Sequence, residues 1–287
     1  DDYGRAQQTV AVVYPRRAPY DPPANTLTHE QRELIRAVQN ERHLAYTETH
    51  FTAELPADPD QHRLPAPCEV LTYELTGTDS TNGFVPSPSS RPYFTRNDFR
   101  SFNLTNALPG QGTTPVTNLD YHQHPGNEAA HMRIVEWVRM LYFNDALSDS
   151  QPFGEYAWHG LPYETYKLAL TKDLLDPILG TKLSADALSK LNTPTVSGYI
   201  PGTRLSSTFT DQWWIRSGVA GFSSDAAQHF YLPELYTDPF GNLTTLKYDG
   251  KYDLFIQSST DAMGNTSGMA TERTNPSDPS TERPRFD

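Results

Sequence analysis

The sequence has one cysteine, Cys68, in 287 residues. A lone thiol has no partner within the chain, so a disulfide scaffold is excluded. Long apolar runs are missing as well. No window approaches the ~20 apolar residues that a helical membrane span requires. Basic side chains are scarce: 23 Lys and Arg stand against 35 Asp and Glu, for a net charge of −12. Nucleic-acid binding calls for the reverse balance, a basic patch. The first residues, from Asp1, show neither the basic stretch nor the apolar stretch of an export leader, and we expect a piece of a longer or matured chain. The P-loop, the G-x-S-x-G elbow and the H-E-x-x-H zinc helix are also absent.

Proline, glycine and tyrosine are plentiful, at 24, 17 and 16 residues, while hydrophobic residues reach only 36%. That composition points to a turn-rich, mainly β chain of one or two domains with a few short helices. Residues 6–14, Leu44–Ala53, Cys68–Thr76 and Thr165–Thr171 read as strands. In Cys68–Thr76, Leu71, Tyr73 and Leu75 fall on one face, with Val70, Thr72 and Glu74 on the other. Thr28 with Gln31 forms a capping box before Leu34, Ile35 and Val38, which predicts a helix over 29–40. Leu174–Leu179 and Ser184–Leu191 read as short helices. Asn127–Phe143 is expected to be a helix with Asn127 as N-cap and Ala130, Ile134, Val138, Leu141 and Tyr142 as its apolar stripe. Residues 77–125 carry Gly, Ser, Pro and Asn throughout and are expected to hold short extended segments. From Ser267 the chain turns polar, and 267–287 is expected to be a disordered tail.

The strongest pattern is a repeat. T-D-P-F-G-N at 237–242 returns as T-D-A-M-G-N at 260–265, 23 residues on, with a looser copy, D-D-Y-G-R, at 1–5. Each is a tight turn in which Asp238 or Asp261 bonds nearby backbone. Pro239 presets its φ, Gly241 or Gly264 supplies a positive φ, and Asn242 or Asn265 closes the turn. Leu243–Tyr248 and Asp253–Ser259 read as the strands between, separated by Asp249-Gly250-Lys251. Two strands and two turns per 23 residues make a β-meander over 237–266.

The run T-D-P-F-G-N-L-T-T-L-K-Y-D-G-K-Y-D-L at 237–254, closed by T-D-A-M-G-N, resembles the Rhs/YD-repeat family. More narrowly it is similar to the middle region of the B component of insecticidal toxin complexes and their SpvB-like relatives. Six further blocks agree in order: D-D-Y-G-R with V-Y-P-R-R (1–17), A-Y-T-E-T-H-F-T (45–52), C-E-V-L-T-Y-E-L-T-G (68–77), E-T-Y-K-L-A-L-T (164–171), W-W-I-R-S-G (213–218) and H-F-Y-L-P (229–233). The resemblance spans 1–266 and is weakest at 78–125. It implies an extended antiparallel meander, one segment of a β-walled shell of Rhs-like type, in a secreted protein that encloses a toxic C-terminal effector. The partners it implies are the remainder of the parent polypeptide, the encapsulated effector, a companion toxin-complex C subunit and, through other domains, a pore-forming A subunit. No catalytic, cofactor-binding or metal residue is expected, nor nucleic acid, nor membrane insertion by this segment. The sequence holds no E-x-E, the acidic signature of the ADP-ribosyltransferase module that some SpvB-like proteins carry.

Several residues invite chemistry and carry a plainer reading beside it. His122 and His124 with His131 suggest a metal site, but no carboxylate is placed as a further ligand, and a solvated helix entry accounts for them. Cys68 is a nucleophile by type, and a buried inert thiol by its place at a strand start. Glu164 with Asp211 would serve as a glycosidase carboxylate pair only at the right separation. Trp213 and Trp214 would stack on a sugar if exposed; the structural expectation is one Trp in the core and its neighbour half-exposed. Tyr248-Asp249 and Tyr252-Asp253 match the tyrosine-aspartate signature of the repeats, with Tyr packing on a strand and Asp closing a turn. Two functions follow. One is a non-catalytic shell segment. The other is a secreted carbohydrate-binding or carbohydrate-cleaving module built on Trp213, Trp214 and nearby acids.

Overall fold

The chain alternates between two compact units, one formed by Asp1–His50 and Glu69–Val138, the other by Phe51–Cys68 and Arg139–Asp287. This computed structural model describes residues 4–18, 23, 26–55, 63–77, 83–87, 92–104, 112–126, 129–269, 271–273, 277 and 282–284. Among them the fold is mainly β, with antiparallel sheets and a few short helices.

The first unit holds β1 (Gln8–Val13), α1 (His29–Asn40), most of β2 (His43–Phe51) and β3 (Pro67–Thr76), α2 (Arg96–Arg100), β4 (Thr117–Leu119) and the first residues of β5 (His131–Tyr142). Its strand order is β1-β2-β3-β5, and β4 lies parallel to the start of β5, with Thr117 opposite His131. β1 runs antiparallel to β2 with Ala11 opposite Ala45. Helix α1 forms where the capping box predicts it: the Gln31 N–H donates to Thr28 Oγ1 at 3.2 Å, and the Thr28 N–H donates to Gln31 Oε1 at 2.9 Å. Leu34 and Val38 stay exposed, so α1 owes its start to its cap rather than to packing.

The core of this unit is Leu44, Tyr46, Leu75, Phe84, Phe102, Leu104, Ala130 and Met132. Three of these, Phe84, Phe102 and Leu104, come from the stretch 77–125, whose described residues pack against the sheet through aromatic anchors. Phe84 lies 4.5 Å from Phe102 between ring centroids, and Phe94 stacks on Phe99 at 5.0 Å. Besides the extended β4, this stretch contains the helix α2, started by Asp98, whose Oδ2 accepts the Thr95 N–H at 2.6 Å. The anchors are spaced irregularly, so no period exposes them in the sequence.

The expected helix over Asn127–Phe143 is corrected to the strand β5. Its apolar residues fit a 3.6-residue stripe, but they equally fill both faces of a pleated strand. Ile134, Val135, Trp137 and Val138 are β-branched or aromatic, which suits a strand with neighbours on both sides. The expected cap Asn127 lies outside the described residues.

The second unit takes the end of β5 and adds β6 (Pro162–Thr171), α3 (Lys172–Leu179), α4 (Ala185–Leu191), α5 (Pro194–Ser197), β7 (Tyr199–Pro201) and β8 (Gln212–Arg216), with strand order β5-β6-β8-β7. Thr171 and Ser184 cap α3 and α4. A second sheet follows: β9 (Val219–Gly221), β10 (Leu235–Thr237), β11 (Leu243–Tyr248), β12 (Ile256–Thr260) and β13 (Thr266–Gly268), all antiparallel in the order β13-β12-β11-β10-β9. β12 starts three residues later than the sequence predicts. The Asp249 carboxylate gathers the N–H groups of Lys251, Tyr252, Leu254 and Phe255 into a long turn first. The boundary expected at 266 falls inside β13, and β14 (Thr271–Arg273) pairs with β15 (Glu282–Pro284). Residues 274–276, 278–281 and 285–287 of the expected tail lie outside the described residues, as do Asp1, Asp2 and Tyr3 of the looser turn copy.

Where β3 leaves its sheet, Gly77 has φ +87°. A Cβ there would come 1.9 Å from the Ala129 carbonyl oxygen. Both the backbone conformation and the close approach demand glycine, since β-carbon and carbonyl cannot share that space. Gly77→Ala is expected to destabilise the protein by about 3 kcal/mol, read as a lowered urea midpoint with an unchanged far-UV spectrum.

Candidate functional site

The strongest concentration of buried charge lies on one face of β2 and β3. Tyr46, Glu48 and His50 alternate along β2, and Glu69 and Tyr73 alternate along β3, so period-2 geometry brings them to one side. His50 is clamped between carboxylates: Nε2 meets Glu48 Oε1, and Nδ1 lies 2.8 Å from Glu69 Oε2. The Glu48 and Glu69 side chains are only 3% and 8% exposed. Their remaining oxygens are also engaged. Tyr46 donates its hydroxyl to Glu48 Oε2 at 3.1 Å, and Trp137 Nε1–H donates to Glu69 Oε1 at 2.7 Å. Gln8 Nε2 donates in turn to the Tyr46 oxygen at 2.8 Å, and Tyr73 stacks on Tyr46 at 5.8 Å.

The hydrogen bonds that His50 donates to Glu48 and Glu69 raise its pKa to about 9, against the opposing pull of burial. Burial pushes the Tyr46 hydroxyl well above its ordinary value, with the Glu48 charge adding to it, and lifts Tyr73 to about 12. The imidazole is thus an imidazolium at neutral pH, with each N–H committed to a carboxylate. A histidine so bound has no nitrogen left to accept a proton, and the cluster acts as a closed charge network rather than an acid–base centre.

The second unit builds a similar arrangement around Glu164, which is buried on β6. Tyr166 donates its hydroxyl to Glu164 Oε2, and Arg216 Nη1 lies 3.2 Å from Oε1. Arg216 Nη2 also donates to the Pro239 carbonyl at 2.9 Å, tying β8 to the first repeat turn. The two turns have matching geometry. Asp238 Oδ1 accepts the N–H of Phe240 and of Asn242, both at 2.8 Å, and Oδ2 accepts Asn242 Nδ2 at 2.9 Å. Asp261 repeats this with Met263 and Asn265, all at 2.9 Å. Gly241 and Gly264 have φ +87° and +83°. These donors hold both aspartates below the usual carboxylate range, Asn242 and Asn265 contributing most.

The other residues singled out by type are dispersed. Glu164 and Asp211 sit at opposite ends of β6 and β8, because Thr171, seven positions beyond Glu164, pairs with Gln212. At ~3.3 Å per residue that separation is on the order of 20 Å, too far for a glycosidase pair. Trp213 and Trp214 are 3% and 0% exposed, which corrects the expectation that one of them reaches solvent. They point to opposite sides of β8 and both sides are covered: Trp213 Nε1–H donates to Asn192 Oδ1 at 2.9 Å, and Trp214 stacks on Phe209 at 5.7 Å. Cys68 is buried. Among the described residues no group of three or more His, Cys, Asp or Glu is placed to hold a metal ion, His122, His124 and His131 included. Asp253 accepts from His229 Nδ1 at 2.7 Å, and the Tyr248 hydroxyl donates to the Pro233 carbonyl at 2.9 Å. The sequence reading missed the Glu48–His50–Glu69–Trp137 network. Its signal was the alternation Tyr46, Glu48, His50, which continues the buried face begun by Leu44 on β2.

Comparison with solved structures gives a likeness of fold. The sequence matches no family model and no curated protein. Among solved structures, 95% of the chain superposes on 13% of a chain in the crystal structure of TcdB2–TccC3, with a TM-score of 0.54 at 14% identity. The fold is that of a segment of this toxin-complex B component. At that identity the likeness is one of fold, and the chain spans only 13% of its neighbour's length.

The raised His50 pKa sets a pH dependence. Its stabilising contribution is complete below the ordinary histidine value near 6.5 and is lost as pH rises through about 9. Stability is therefore expected to fall by about 2 kcal/mol over that window, allowing for solvent screening of the exposed ring edge. Urea midpoints across the range should show this slope, and His50→Gln should flatten it.

Proposed function

We propose that the chain is a non-catalytic structural segment of a secreted shell of the Rhs or toxin-complex B kind. Its strands would form part of the wall around a toxic C-terminal effector. The observation that carries this reading is the fold likeness over 95% of the chain to a toxin-complex B component. The partners follow from the same reading: the remainder of a parent polypeptide, the enclosed effector, a companion C subunit such as the one in the TcdB2–TccC3 complex and, through other domains, a pore-forming A subunit. No cofactor and no direct role in membrane insertion are part of it.

Physical features support a wall. The buried carboxylates Glu48 and Glu69 bond to the half-buried His50, and the buried Glu164 bonds to the half-buried Arg216. In the second sheet Thr245, Thr260 and Thr266 lie in register across three strands, and β11 alternates exposed and half-buried positions. A sheet with hydroxyls in place of an apolar face suits wetting on both sides better than a deep core. The conformations of Asp238, Pro239, Gly241, Asn242, Asp261, Gly264 and Asn265 would set the pitch of the meander. The carbohydrate module has no such support, because both of its tryptophans are buried.

Two experiments bear on the reading. β1 and β13 each end a sheet, and an unpaired edge is a template for further strands. Light scattering of the purified chain should show association that grows with concentration and weakens in Ala11→Lys/Ser267→Lys; a monodisperse monomer at about 100 μM would count against the wall. For the turns, Asp238→Ala should speed amide exchange at Phe240 and Asn242 on the order of tenfold, leaving Met263 and Asn265 protected.

A further inference from the structure

The first unit contains a cavity of about 600 Å³ between β1 and the 94–104 segment. Its lining combines three guanidinium groups, from Arg5, Arg96 and Arg100, with an aromatic wall that includes Tyr14, Phe94 and Phe99. Among the described residues no carboxylate lines it, although the chain carries a net charge of −12. Two further cavities among the described residues differ in kind. One, near β4, is lined by asparagines and apolar side chains, and the other, beside β6, includes Glu164.

Neighbouring acids are turned to other tasks. Asp98, between the two helix arginines, is buried and accepts from the Ser87 N–H at 2.9 Å and from the Thr95 N–H and hydroxyl. Glu48 lies behind Tyr46, which donates to it while its ring reaches the cavity. Gln8 and Thr9 on the β1 side and Thr95 on the α2 side add uncharged polar groups to the lining.

We propose that this cavity binds a small amphipathic organic anion, with its acidic head on Arg96 and Arg100 and its ring or chain against the aromatic wall. Guanidinium groups bind carboxylate, sulfonate and phosphate through paired N–H donors, and more strongly where an apolar wall lowers the local dielectric. Phe94, Phe99 and Tyr14, packed against one another, supply apolar ring surface to contact an aromatic body. The volume lies in the range of small-molecule sites and is too small for a folded partner. Nothing in this inference depends on the shell reading, since the cavity is built within one unit.

The test is a fluorescence titration of the intact chain with 8-anilinonaphthalene-1-sulfonate, an aromatic anion. One saturable site is expected. Affinity should fall at least about tenfold in Arg96→Ala/Arg100→Ala and fall similarly on raising NaCl to about 0.5 M. Arg204→Ala, in the second unit, should bind like the parent. 3-Phenylpropionate should displace the dye, and 3-phenylpropanol should not. Equal displacement by the alcohol, or unchanged affinity in the arginine variant, would overturn the proposal. Should the double variant lose its native far-UV spectrum, Arg100→Gln and the salt series on the parent chain read the same two outcomes.

Discussion

A buried carboxylate in a β-sheet has to be matched within the sheet, and much of this structure follows from that constraint. Glu48, Glu69 and Glu164 are all nearly inaccessible. Leaving any of them charged and unpaired would cost several kcal/mol. In the first unit the compensation is His50 between two acids, with Tyr46 and Trp137 taking the remaining oxygens. In the second it is Arg216, with Tyr166 beside it. The two solutions share a tyrosine two residues from the acid on the same strand face, in A-Y-T-E-T on β2 and E-T-Y on β6. Neither cluster offers a free base or an open coordination position. The charge ties strands together: His50 and Trp137 bond Glu69 on β3 from β2 and β5, and Arg216 bonds Glu164 on β6 from β8.

The Arg216 cluster also reaches a turn. Its second guanidinium nitrogen bonds the Pro239 carbonyl, so the buried pair at Glu164 and the tip of the first hairpin are coupled through one side chain. Asp238 then orders the hairpin by binding the backbone two and four residues on. Asp261 does the same 23 residues later without an arginine in reach of its carbonyls among the bonds seen. The turn is thus self-sufficient, and Arg216 sets where the first one sits.

Much of the strand content was legible because the signals were local. The Thr28–Gln31 capping box, the alternation in Cys68–Thr76 and the D-x-x-G-N turns each depend on a few neighbouring residues, and each appears at its place. β5 failed for the opposite reason. His131–Tyr142 satisfies a helical stripe and a two-faced strand equally, and only its neighbours β3 and β6 decide between them. The cluster formed by Phe84, Phe94, Phe99 and Phe102 was illegible because its order comes from long-range ring packing within a Gly- and Pro-rich stretch.

The same distinction explains the sites. Residues noticed for their chemical type alone, Trp213, Asp211 and His122 among them, are scattered or buried, since residue type says nothing about convergence. The charge network joins β2, β3 and β5 across sequence separations of 19 and 68 residues. Reading Trp137 as helical removed it from that network before pairing could be considered. Two of the cavity's arginines, Arg96 and Arg100, were hidden in the same way, inside the stretch that had no period. In a chain with so few apolar residues, buried polar groups are matched by cross-strand contacts, and these become visible only once the strand order is known.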